Sequence, residues 1–129
     1  MITNRLHHLA LGARDPAALA RFYIDVLELP EVTRHLDDEG ALRSVWLDLG
    51  HGSLLMIERI PADAPPDDDP MRPGLFLLAV TIDPDDRAHW EARLEDAGCT
   101  IDARTPYTSY ARDPEGNRIA VSHYGLAHQ

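Results

Sequence analysis

Cysteine, basic residues and long apolar segments are scarce in this sequence. The 129 residues include one cysteine, Cys99, so the chain cannot form an intramolecular disulfide. No apolar run approaches the roughly 18 residues that a membrane-spanning helix needs. The opening residues MITNRLHH lack the apolar core of a signal peptide. These absences predict a cytoplasmic protein that has no membrane partner. Because Cys99 directly follows Gly98, which is expected to end a helix, we expect its thiol to be buried at the start of a strand rather than to be a nucleophile.

The shortage of basic residues leaves a strongly acidic chain. Twelve basic residues, all of them arginine, oppose 22 aspartates and glutamates, which gives a formal charge of −10. Such a charge opposes binding to nucleic acid or anionic lipid and favours cationic ligands. Solubility alone is the competing explanation of the charge. We therefore expect no nucleic-acid partner, and among small organic ligands the charge favours a cationic one.

The chain repeats itself. Residues 8–27 align with residues 76–95 without a gap, at an offset of 68. In each copy a short apolar segment runs into an Asp-Pro pair and then into an amphipathic helix. The alignment places His8 of the first copy on Phe76 of the second. An internal duplication of a strand-helix unit is therefore predicted.

Proline, glycine and aspartate residues mark the ends of further predicted helices and strands. We predict one domain over 1–129, built from module one (1–60), an acidic proline-rich linker (61–73) and module two (74–129). Its fold class is α+β, with a βαβββ arrangement in each of the two modules. The predicted helices span 16–28 and 84–97, and the predicted strands span 6–11, 31–36, 42–49, 53–60, 75–82, 100–104, 108–112 and 118–123.

Three motifs carry a family resemblance. They are H-L-A-L-G-A-R-D-P from His8, F-Y at Phe22 with Leu29-Pro30 after it, and R-D-P-E-G-N-R-I from Arg112. Together they resemble the vicinal oxygen chelate superfamily, which includes glyoxalase I, extradiol dioxygenases, fosfomycin-resistance enzymes and bleomycin-resistance proteins. The resemblance implies two curved sheets that face each other around a ligand cavity, within a chain or across a dimer. One departure is Glu28, where the family often has a glycine.

The resemblance also implies where a metal would bind. In the metal enzymes of the family, histidine and carboxylate ligands come from the first and last strands of each module. The corresponding residues here are His8, Met56, Phe76 and Ala120, so one ligand for a hard metal remains of four. Glu58 is the one easy substitute, because it lies two residues beyond Met56 on the same side of its strand. His7 is expected to face away from His8.

Since a catalytic metal site needs about three oxygen or nitrogen donors, we expect no cofactor and assign no catalytic residue. The leading hypothesis is a metal-independent small-molecule binding protein, similar to the bleomycin-resistance type and thus related to antibiotic resistance. It is expected to form a homodimer. The predicted ligand-binding residues are His8, Trp46, Leu54, Met56, Glu58, Phe76, Leu78, Tyr110 and Ala120.

Other interpretations stay open. A glyoxalase-like lyase, dioxygenase or isomerase is the main alternative, with His8 acting as a base or a divalent metal held at a degenerate site that includes His8. A dimeric accessory protein without a small ligand is a third hypothesis. Trp46 either lines the cavity or packs under a helix. His35, on a predicted edge strand, is expected to be a surface residue.

Overall fold

The computed structural model describes residues 5–66 and 73–125, and the chain divides into two compact units, Met1–Pro65 and Pro66–Gln129. Each unit contains one helix and one four-stranded mixed sheet, which confirms the α+β fold of two βαβββ modules. The elements are β1 (His8–Ala13), α1 (Pro16–Asp25), β2 (Glu31–Leu36), β3 (Leu42–Gly50), β4 (Ser53–Arg59), β5 (Leu78–Thr81), a 3₁₀ turn (Pro84–Asp86), α2 (Arg87–Asp96), β6 (Ala103–Arg104), β7 (Thr108–Arg112) and β8 (Arg118–Ser122).

In module one the strands lie in the order β1-β4-β3-β2, with β1 parallel to β4 and the other pairs antiparallel. Asp15 caps α1 by accepting a hydrogen bond from the Ala18 backbone nitrogen at 3.0 Å, and Pro16 occupies the first helical turn. The helix covers one face of the sheet. The core between them consists of fully buried side chains: Leu19, Tyr23, Val45, Leu47, Leu55 and Ile57.

Module two repeats this arrangement with the order β5-β8-β7-β6. Its helix is fixed to the sheet by polar contacts as well as apolar ones. Arg87 donates from Nε to the buried Ser109 Oγ at 2.9 Å, and Ser109 donates to Glu91. Hydrogen bonds from Arg104 and then Ser109 lower the pKa of the Glu91 carboxyl below its usual range. Helix α2 therefore lies on the face that contains Ser109.

Several boundaries differ from the predictions. Helix α1 ends at Asp25 rather than residue 28, and β5 begins at Leu78 rather than residue 75. The late start of β5 has a physical cause, because its register with β8 places residues 75 and 76 opposite residues 116 and 117, which precede β8. Residues 67–72 of the predicted linker lie outside the described residues. Within the described ranges, no helix is long and apolar enough to cross a membrane.

Two turns lie between predicted strands, and their residues suit the backbone conformation of each turn. The hairpin between β3 and β4 turns at His51 and Gly52, whose φ angles are 54° and 83°. Positive φ at both central residues is the requirement of the type I′ hairpin turn. In the D-P-E-G-N segment, Asp113 Oδ1 accepts hydrogen bonds from the backbone nitrogens of Glu115 and Asn117, both at 2.9 Å. That motif is therefore a self-contained turn between β7 and β8.

Glu28, the residue that departs from the family pattern, has a φ of 60°. A side chain with a Cβ is strained in this left-handed region, whereas glycine is not. We expect Glu28→Gly to raise the free energy of unfolding by about 0.5–1 kcal/mol, measured by urea denaturation. Glu39→Gly is the matched control, because Glu39 is also exposed but has a negative φ. Equal effects of the two substitutions would contradict the prediction.

Candidate functional site

The candidate site is the face of each sheet that its helix leaves uncovered, which we call the open face. Cross-strand pairing shows that the two open faces correspond. Trp46 pairs with Met56 in module one, and Tyr110 pairs with Ala120 in module two. Both pairs are related by an offset of 64, so the predicted equivalence of Met56 and Ala120 is confirmed.

The central row of each open face contains no carboxylate or imidazole. In module one the row runs across β1, β4, β3 and β2 as Ala10, Met56, Trp46 and Thr33. In module two it runs across β5, β8, β7 and β6 as Ala79, Ala120, Tyr110 and Ala103. An aromatic residue occupies the third place in both rows. Trp46 thus lies on the side of its sheet away from α1.

The predicted equivalence of Phe76 with His8 was wrong, and so was the predicted position of Leu78 on the open face. Leu78 pairs with Ile119, which is buried on the helix-covered face, so Leu78 points away from the open face. Pairing makes Ala79 the equivalent of Ala10, which places Leu77 rather than Phe76 opposite His8 in the repeat. The cause is a connection between strand and helix that is one residue shorter in module two. Aligning the two Asp-Pro pairs therefore shifted the strands by one residue, and a shift of one reverses the face.

Polar side chains in module one form a connected group beside the central row. Trp46 Nε1 donates a hydrogen bond to Ser44 Oγ at 2.7 Å, and Ser44 Oγ donates to Glu58 Oε1 at 2.9 Å. Ser44 is buried, whereas Glu58 and Trp46 are partly exposed. The serine fixes the positions of both the indole and the carboxylate. Glu58 is thereby presented next to an aromatic ring on the open face.

His35 belongs to the same group, which the sequence did not reveal. Strand β2 is indeed an edge strand, but the His35 ring packs edge-on against the Trp46 ring with centroids 4.8 Å apart. Its Nε2 is buried, and among the described residues it has no hydrogen-bond partner. His35 is therefore a partly exposed edge-strand residue, as expected, but its imidazole packs into the open-face group. The usable signal was alternation along β2, which places Thr33 and His35 on one face.

His8 stands apart from this group. His8 pairs with Leu54, which lies four residues before Glu58 on β4. The row of paired residues that contains His8 is therefore roughly 13 Å along the sheet from the row that contains Glu58. His8 Nδ1 lies 2.8 Å from His7 Nδ1, and both residues are exposed. The expectation that His7 faces away was wrong, because His7 precedes β1 and strand alternation does not apply to it. Throughout the described residues, no three His, Cys, Asp or Glu side chains cluster as a metal site would require.

Module two has a different set of groups at the same positions. Thr108 Oγ1 and Ser122 Oγ share a hydrogen bond of 2.7 Å, at the positions that correspond to Ser44 and Glu58. Ala120 is 3% exposed, compared with 9% for Met56. Ser122 in module two thus occupies the position of Glu58 in module one, so a hydroxyl replaces the carboxylate on this open face.

A surface pocket of about 440 Å³ lies elsewhere on module two, beyond the end of α2. Its lining includes Cys99, Asp102, Arg112 and Asp113. Burial, and then the nearby charge of Asp113, raise the pKa of the Cys99 thiol. The thiol is buried, as expected, and it stays protonated at neutral pH. None of the predicted ligand-binding residues lines this pocket.

Comparisons with known proteins agree with this geometry. The family model described as Glyoxalase/Bleomycin resistance protein/Dioxygenase superfamily matches residues 5–121. No curated protein matches the chain in sequence.

Solved structures of several proteins share the fold. A glyoxalase/dioxygenase from Nostoc punctiforme is 23% identical with a TM-score of 0.75, and the match covers 92% of this chain and 89% of that one. A lactoylglutathione lyase from Agrobacterium tumefaciens is 25% identical with a TM-score of 0.67 and coverages of 95% and 98%. A fosfomycin resistance protein from Listeria monocytogenes is 16% identical with a TM-score of 0.75 and coverages of 98% and 94%.

Proposed function

Because this chain belongs to the Glyoxalase/Bleomycin resistance protein/Dioxygenase superfamily, we propose that it is a metal-independent member that binds a small organic molecule on its open faces. The observation that carries the proposal is the composition of the two central rows. They hold alanine, methionine, threonine and aromatic residues, and no carboxylate or imidazole. Such surfaces suit an organic ligand that is held by apolar and aromatic contact.

The residues present do not fit a catalytic metal. Divalent metals in such sites need about three oxygen or imidazole donors. His8 and Glu58 lie in separate rows, and the hydroxyl of Ser44 holds the Glu58 carboxylate. The Met56 thioether is a soft and weak donor for these ions. We therefore assign no reaction step to a metal, and the proposed activity resembles sequestration by bleomycin-resistance proteins.

The proposed ligand carries a positive charge. Glu58 supplies a carboxylate on the open face of module one, and the neighbouring Trp46 ring attracts cations through its π-face. Met56 adds an adaptable apolar contact in the same row as Trp46. The overall charge of −10 also favours the approach of cations. An aromatic or quaternary amine combines these features.

A binding experiment tests the cationic ligand. Protein dialysed against a chelator is titrated in a calorimeter with benzyltrimethylammonium and, separately, with neutral benzyl alcohol. We expect the ammonium compound to bind at least about tenfold more tightly, which corresponds to roughly 1.4 kcal/mol. Glu58→Gln keeps an acceptor for Ser44 but removes the charge, so it should abolish this preference.

The control is Glu39→Gln, which removes one exposed carboxylate from the turn between β2 and β3. It should leave the preference for the ammonium compound unchanged, because Glu39 is outside the open face. Equal affinity for the charged and neutral compounds, or equal losses in the two variants, would contradict the cationic-ligand proposal. Binding that appears only after a divalent metal is added would contradict metal independence.

The exposed pair of His7 and His8 favours one alternative function, a glyoxalase-like lyase, dioxygenase or isomerase. In that case His8 acts as a base or as one ligand of a degenerate metal site. His8 lies outside the central rows, and these rows offer no carboxylate or imidazole that could complete a metal site with it. The metal content of the dialysed protein separates the metal-binding form of this alternative from the proposed binding function.

We also propose that the chain forms a homodimer, since twofold dimers are the commonest assembly of soluble proteins. Sedimentation equilibrium should give the mass of two chains. A single-chain mass over the micromolar range would contradict it.

A further inference from the structure

An arginine on the open face of module two is held between two aromatic rings. The guanidinium carbon of Arg118 lies 5.3 Å from the centroid of the Phe76 ring and 5.0 Å from the centroid of the Tyr110 ring. Both distances are within the range of a cation–π contact. Phe76 reaches Arg118 although its backbone precedes β5. The two rings therefore fix the orientation of this side chain before any ligand arrives.

Arg118 differs from the arginines that pair with carboxylates. Arg34, Arg59, Arg87 and Arg104 each form an ion pair with an aspartate or glutamate. In the part of the chain that the structure describes, Arg118 has no ion pair, and its Nε is buried without a hydrogen-bond partner. A guanidinium N–H that is removed from water without an acceptor costs free energy. Although the chain is strongly acidic, no carboxylate of the described residues pairs with Arg118.

A second arginine adjoins this position. Arg112 pairs with Arg118 across β7 and β8, and its Nη1 donates to the Gly116 carbonyl at 3.0 Å. The corresponding residues of module one, at the offset of 64, are Asp48 and Leu54. The two basic residues are thus specific to module two and are not inherited from the repeat.

We propose that Arg118 binds the oxyanionic group of a small organic molecule, a carboxylate or a phosphonate, with Phe76 and Tyr110 flanking the bound group. A guanidinium presents its N–H groups as a planar fork that matches two oxygens of such an anion. Stacking on aromatic rings occupies the faces of the guanidinium and leaves its edges to donate. Arg112 adds a positive charge nearby. This site does not rest on the cation-binding proposal, which concerns other residues on module one.

Calorimetric titration with benzoate, phenylphosphonate and neutral benzamide tests the site at low ionic strength. We expect benzoate or phenylphosphonate to bind at least about tenfold more tightly than benzamide, since benzamide is nearly isosteric with benzoate but uncharged. The tighter of the two anions identifies the ligand group as a carboxylate or a phosphonate. Equal binding of all three compounds, or no binding of either anion at millimolar concentration, would overturn the proposal.

Three variants assign the effect to this residue. Arg118→Met keeps an unbranched side chain and should remove the preference for anions. Arg118→Lys keeps the positive charge but lacks the planar pair of guanidinium N–H groups, so it should retain part of the affinity for anions. It replaces the methionine variant in the test if that variant fails to fold. Arg43→Met is the matched control, because Arg43 is an exposed arginine on β3 of module one. An unchanged preference in Arg118→Met, or an equal loss in Arg43→Met, would refute the assignment.

Discussion

Replacing Arg87 with methionine should lower the free energy of unfolding by about 3 kcal/mol. The Arg87 guanidinium donates to Ser109 Oγ and to the backbone carbonyls of Thr105, Pro106 and Thr108, at 2.8–3.0 Å. Methionine preserves the length of the side chain but leaves these acceptors without their donor. Hydrogen bonds from charged donors contribute roughly 1.5–3 kcal/mol each, and groups left unsatisfied add to the cost.

Equilibrium unfolding in urea, followed by circular dichroism, measures this loss. Arg21→Met is the control, because Arg21 is an exposed arginine on α1 and its substitution should stay within about 0.5 kcal/mol of the wild type. A loss below about 1 kcal/mol for Arg87→Met would show that the hydrogen bonds do not hold the segment before β7 to α2.

The sequence identified this fold well wherever local signals were strong. The Asp-Pro pair at Asp15 caps α1 as expected, and β2 and β7 have the predicted bounds, Glu31–Leu36 and Thr108–Arg112. Alternation of apolar residues also placed Met56 and Glu58 on one face of β4. These features depend on neighbours in sequence, which is why they were predictable.

The prediction failed where the loss of one residue reverses the face of the sheet on which a side chain lies. The alignment of the two copies through their Asp-Pro pairs was correct for the helices. It failed for β5, because the residue that corresponds to Arg14 is missing before Asp83. Strand alternation has a period of two, so this single residue moved Leu78 to the helix-covered face.

The contacts among the polar groups of the two open faces could not be predicted from sequence. Ser44 and His35 meet only because β3 pairs with β2 in a particular register. The contacts of Arg118 likewise depend on the pairing of β7 with β8 and on the position of Phe76, which lies outside a strand. Such cross-strand registers are set by the whole sheet and by its bulges.

The second large expected effect concerns metal content. Purified and dialysed protein should contain far less than one transition metal per chain, because in the described part of the chain no three His, Cys, Asp or Glu side chains group as a metal site requires. Added Zn²⁺ or Ni²⁺ should therefore leave the melting temperature nearly unchanged.

The most direct test of metal-independent binding is elemental analysis of the dialysed protein by inductively coupled plasma mass spectrometry, for wild type and for His8→Ala. Substoichiometric Ni, Zn, Mn and Fe in both proteins, with amine binding intact in the wild type, is the result that we predict. One equivalent of any of these metals in the wild type, lost in His8→Ala, would contradict metal independence and would favour the enzyme alternative.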